Sequence, residues 1–183
     1  MTFIYKIKIT QSEMTNVNEK YFENNNYVLF VSGYPSQWYP CEFIVNGIRF
    51  NCSEQYMMYR KALLFNDIET AQLILAENDP KKIKQLGRLV KNFDADAWND
   101  IADDVVFEGN YAKFSQNPAL YEKLMESRDK EYVECAPYDK IWGNGLNITD
   151  TLKTPKAEWL GTNRLGLAIM RVRQALEAFQ DSC

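Results

Sequence analysis

Glu54 and Lys61 stand seven positions apart in the stretch SEQYMMYRKALLF, residues 53–65. On a helix that spacing puts an acid and an amine on one stripe, with Met58 between them and Met57 and Leu64 beside it. A carboxylate can stabilise a developing cation or move a proton, and an unprotonated amine is a nucleophile. Spacing alone fits two arrangements. One is a Met- and Leu-rich core face whose charged ends reach water; the other is a carboxylate and an ammonium held in a cleft. The stretch itself predicts a helix. Ser53 suits the N-cap, where its hydroxyl can accept from a free backbone N–H, and residues 55–64 hold no Gly, Pro or β-branched side chain.

Composition narrows the chemistry. The chain of 183 residues has no histidine. Ser-His-Asp and Cys-His nucleophilic mechanisms, imidazole bases and most catalytic zinc or iron sites are thereby excluded. Acid–base work must run on Asp, Glu, Lys, Tyr, Cys or the substrate. The cysteines, Cys41, Cys52, Cys135 and Cys183, form no C-x-x-C pair, so a zinc ribbon or thioredoxin-type site is not expected. A net charge of -4 gives no general nucleic-acid or membrane footprint. The first residues, MTFIYKIKITQSEM, lack the apolar run and cleavage site of a signal peptide, and no apolar run suits a membrane span. The cytoplasm is the expected compartment, with the thiols reduced.

The elements that must position the stripe can be read in order. Residues 1–10 alternate as a strand would, and the polar residues 11–26 read as a loop, so 1–26 form an N-terminal strand and linker ahead of a domain over 27–183. Tyr27 to Val31 is a short strand leading into the irregular SGYPSQWYP. Two strands then flank Asn46-Gly47, a strong hairpin signal, and deliver the chain to the central helix. Asn66 or Asp67 caps a helix from Ile68. Pro80 opens one carrying Lys81, Lys82, Lys84, Arg88 and Lys91, a face that solvation alone would explain. Asp94 caps a long helix, bent or broken near Gly109, and Pro118 opens another. Residues 131–135 suit a strand, and Thr162 or Asn163 starts an amphipathic helix through Phe179. Trp98, Leu165, Ile169 and Met170 read as core. The order implies a single compact α+β domain, predominantly helical, with a small antiparallel sheet.

Three further stretches, SGYPSQWYP, DKIWGNG and WLGTNRLG, each put Trp beside Gly and Asn or Ser. Such loops present aromatic faces that stack flat heterocycles, and Gly-Thr-Asn at a helix start offers N–H donors to an anion. No Walker A motif and no G-x-G-x-x-G after a strand occurs. With SEQYMMYRKA, the Gly-Arg at 87–88, NYAKF at 110–114, DKIWGNGL and GTNRLGxxxMxxR, the chain resembles the NADAR family of YbiA-like N-glycosidases over residues 28–177. Ile169 replaces a usual Leu of the last signature, and Gln55 stands where some members have His.

The resemblance implies a YbiA-like fold and metal-independent, cofactor-free hydrolysis of a C1–N glycosidic bond. The implied substrate is a small nucleotide-like molecule, a riboflavin-pathway 5-phosphoribosylamino-pyrimidine or a related ribose phosphate. One alternative is removal of ADP-ribose from guanine in a nucleotide or nucleic acid; another is a non-catalytic module that binds ADP-ribose. Glu54 would act as acid/base and stabilise the oxocarbenium-like carbon, and Lys61 would form a Schiff base. Trp142 would stack the base, or else pack in the core. Asp139 would hydrogen-bond base or ribose, or else serve a turn. Asn163 with the amides of Gly161 and Thr162 would hold phosphate or ribose, or else cap a helix. Arg88 would pair a phosphate or a structural acid, and Ser32 and Trp38 would line the pocket.

Overall fold

The computed structural model describes residues 18–180. The strand expected over 1–10, the leader reading and Cys183 lie outside the described residues. Among the described residues, seven α-helices and five short strands make the fold α+β and predominantly helical. It divides into two compact units: one holds the described residues up to Gly33 with Asp129–Leu167, the other Tyr34–Arg128 and the chain from Ala168 on.

The first unit is built on three strands, β1 (Tyr21–Glu23), β2 (Tyr27–Phe30) and β5 (Glu131–Glu134), in the order β1-β2-β5. β1 runs antiparallel to β2, but β5 joins β2 in parallel, so this sheet is mixed. β1 lies inside the stretch read as a polar loop: Asn24 Oδ1 accepts from the N–H groups of Asn26 and Tyr27 and turns the chain back, which pairs Tyr21–Glu23 with Val28–Phe30. Leu29, Val133, Cys135, Ile148 and Phe22 form the core of this unit, with Trp159 packed against it. A short helix α6 (Ile148–Lys153), capped by Asn147, follows.

The second unit begins with the predicted hairpin, β3 (Phe43–Val45) and β4 (Ile48–Phe50), turning at Asn46 and Gly47, both in the left-handed region. Helix α1 (Ser53–Leu64) follows at once. Its N-cap is Cys52, not Ser53, and no side chain caps it, since Ser53 already lies inside the first turn. Phe50 stacks on Phe43 and meets Tyr56 of α1 edge-on at 5.0 Å, which fixes hairpin to helix.

Helices α2 (Ile68–Ala76), α3 (Pro80–Arg88) and α4 (Ala95–Gln116) start at Asp67, Asp79 and Asp94, whose carboxylates accept from first-turn N–H groups; each cap contributes about 1 kcal/mol. α4 runs unbroken through Gly109. A β-carbon there would come within 2.7 Å of the Tyr56 ring, so this glycine admits an aromatic neighbour instead of bending the helix. α5 (Pro118–Glu126) follows. α7 (Arg164–Gln180) starts in the first unit and ends in the second.

Candidate active site

Glu54 sits in the first turn of α1 and is 4% exposed. A carboxylate so deeply placed at a helix start is favoured by the dipole, and its backbone N–H donates to the carbonyl of Gln37 at 2.9 Å. Lys61 lies in the last turn of the same helix, half-buried. Its Nζ is 4.1 Å from the ring centroid of Phe93 and 6.0 Å from that of Trp98. Burial pushes the amine below the usual lysine range; Glu54 pulls the other way, and Arg88 adds to the depression. The structure therefore brings Glu54, Lys61 and Arg88 into one electrostatic group.

Arg88 reaches this group because α3 packs closely on α1. Gly87 of α3 is buried against Met58, the residue between Glu54 and Lys61 on the stripe. Lys84, one turn earlier on α3, places its Nζ 6.0 Å from the ring of Trp38, which is 40% exposed. Gln55, buried beside Glu54, faces away from this group: its Nε2 donates to the carbonyls of Ile74, Leu75 and Glu77, and its Oε1 accepts from Asn51 N–H. It closes the C-terminal end of α2, a task that needs a donor and an acceptor.

Phe93 and Trp98 were not expected here, and Trp98 is half-buried, not a core residue. The legible signal was an aromatic inside the polar run Lys91–Asp94, where Asn92 takes a left-handed turn just before the cap of α4.

The remaining predicted residues belong to the first unit. Asp139 serves a turn, its Oδ1 accepting from Ile141 and Trp142 N–H. Trp142 is half-buried, with the Arg164 guanidinium 4.9 Å from its ring centroid. The N–H donors expected to meet an anion are spent within the chain: Gly161 donates to Asn144, Thr162 to Lys140 and Asn163 to Gly143. The Asn163 side chain binds β5 at both ends, to Glu134 N–H and the Tyr132 carbonyl. A β-carbon on Gly161 would meet the Gly143 carbonyl at 2.4 Å, which explains the glycine. Ser32 is exposed, its N–H donating to Lys20.

The family model of the NADAR domain matches residues 19–177. The chain belongs to the NADAR family. It is 44% identical over 144 residues to an N-glycosidase of Acanthamoeba polyphaga mimivirus, spanning 76% of this chain and 85% of that protein. It is also similar to a riboflavin biosynthesis protein of Vibrio vulnificus, at 28% identity over 79% of this chain and 36% of that protein. The solved NMR structure of Escherichia coli YbiA shares the fold, with a TM-score of 0.71 over 88% of this chain and 90% of that one at 23% identity. Among the described residues no helix is long and apolar enough to cross a membrane.

Proposed function

We propose that this NADAR protein hydrolyses the C1–N glycosidic bond of a base linked to ribose phosphate, with Glu54 and Lys61 as the catalytic pair. It is a hydrolase of the N-glycosidase class, the activity for which its mimivirus relative is named. The observation that carries the reading is one helix holding a buried carboxylate and an amine whose proton affinity burial lowers. The name of the Vibrio relative supports riboflavin-pathway phosphoribosylamino-pyrimidines as the substrate class.

The chemistry balances with one water. The unprotonated Lys61 amine attacks C1, the C1–N bond breaks, and its electron pair leaves on the base nitrogen, which takes up the proton that the newly bonded amine sheds. Glu54 gives a proton to the ring oxygen as the sugar opens and C1 becomes an iminium on Lys61. Water then adds to C1, Glu54 takes its proton, and the amine departs from the free sugar. Arg88 holds the phosphate and adds to the lowering of the Lys61 pKa that burial begins. The rings of Phe93 and Trp98 lie beside the amine.

Release of free base from a 5-phosphoribosylamino-pyrimidine, followed by chromatography, tests the reading. Wild type releases base, and Glu54→Gln loses about a hundred-fold or more in rate. An ADP-ribosylated guanosine run in parallel distinguishes the second substrate class. No release from either by wild type contradicts an N-glycosidase.

A further inference from the structure

Lys113 has no part in that chemistry, yet it is 0% exposed. Its Nζ donates to the Ser36 carbonyl at 2.9 Å and lies 5.2 Å and 5.7 Å from the ring centroids of Phe114 and Tyr39. The titratable groups that act on it are the thiols of Cys41 and Cys52, and burial pushes the amine down to about 8. One turn earlier on α4, the fully buried Asn110 donates through Nδ2 to Gln37 Oε1 and to the Val106 carbonyl, both at 2.8 Å. Tyr34 meets the Phe114 ring edge-on. Helix α4 thus grips the loop at Tyr34, Ser36, Gln37 and Tyr39. The Gln37 carbonyl in turn accepts the Glu54 N–H, in a helix turn that no side chain caps.

An ammonium buried against two rings and one carbonyl lowers stability, and an apolar side chain of similar length would cost less. Residues that cost stability are kept where a site needs them. We propose that Lys113 is a positioning residue for Glu54: from within α4 it clamps the Ser36 carbonyl while Asn110 holds the Gln37 side chain, and through the Gln37 carbonyl this fixes the turn that carries the carboxylate. The inference rests on the glycosidase reading for its effect on rate, but not for the clamp itself.

The test uses the full chain as wild type, Lys113→Met and Lys113→Gln. Amide hydrogen exchange is read at residues 36–38 and Glu54, together with thermal midpoint and steady-state base release from the phosphoribosylamino-pyrimidine. In Lys113→Met, exchange at these amides quickens by roughly ten-fold or more while the rest of the chain is unchanged, the midpoint holds or rises, and kcat falls by roughly ten-fold or more with KM little changed. Lys113→Gln, which keeps an N–H donor, restores most of the protection and the rate. Wild-type exchange at Glu54 in Lys113→Met overturns the proposal. So does acceleration spread evenly over the chain with a lowered midpoint, which is the signature of a merely structural residue. Local acceleration in a protein whose wild type releases no base supports the clamp and defeats the glycosidase reading instead.

Discussion

The sulfur of Met58 occupies the place where a β-carbon on Gly87 would stand, 2.0 Å from it. This contact lets α3 lie against the stripe that carries Glu54 and Lys61, and so puts Arg88 within electrostatic reach of the amine. Gly87→Ala must displace the Met58 side chain or push the two helices apart. It should cost about 1–3 kcal/mol in urea unfolding and lower base release along with it. Because the clash is with the end of a flexible side chain, adding Met58→Ala should return most of the stability in a double-mutant cycle. A stable, fully active Gly87→Ala would mean that the close approach is dispensable.

The balance of charges at Lys61 gives a second prediction. Burial is the main cause of its lowered pKa; Glu54 opposes that and Arg88 assists it. Glu54→Gln should therefore lower the pKa further, and Arg88→Ala should raise it toward the ordinary lysine value. The amine can be followed by NMR titration after reductive 13C-methylation. Shifts of the opposite sign would separate Lys61 from one or both partners.

Much of this architecture was legible because its determinants are local. Asn46-Gly47, Asp67, Pro80, Asp94 and Pro118 act on their own neighbours, and each marks an element where expected. The stripe of α1 was legible in periodicity, but not what packs on it, since the approach of α3 depends on Gly87 of a later helix. Gly109 misleads for a similar reason: its lack of a side chain answers Tyr56, fifty-three positions earlier, and not the helix that contains it. The expected anion cradle at Gly161–Asn163 was read from residue types, whereas its N–H groups are spent on carbonyls of residues 140–144. Partnerships between distant backbone groups leave no periodic trace.

Gln55 offers a test of stability. Truncation to Ala would strip the carbonyls of Ile74, Leu75 and Glu77 of their shared donor and Asn51 N–H of its acceptor, all beside a buried side chain. A loss of about 1–3 kcal/mol is expected in urea unfolding. Glu would keep the acceptor but face three carbonyls with no donor, and should be worse than Ala. Equal stability of all three proteins would contradict the role.

Lys113 predicts an alkaline rise in stability. The folded chain gives up this proton near pH 8, the unfolded chain only near the ordinary lysine value of 10.5. Between these values the unfolded state binds more protons, so the folded state gains with rising pH, by an amount on the order of 3 kcal/mol. Below that window the full cost of the buried charge is present. Urea unfolding of wild type and Lys113→Met at about pH 7.5 and about pH 10 should show the rise in the difference between the two proteins. A constant difference would mean that the amine is not held down by burial.

The most direct measurement is borohydride reduction of the protein during turnover of the phosphoribosylamino-pyrimidine, with mass spectrometry of the peptide that carries Lys61. A reduced pentose-phosphate adduct on Lys61 is expected, together with loss of that adduct in Lys61→Ala and a much lower yield in Glu54→Gln. Base release at the full rate with no adduct on Lys61, or with an unaffected Lys61→Ala, would contradict a nucleophilic lysine at the centre of this site.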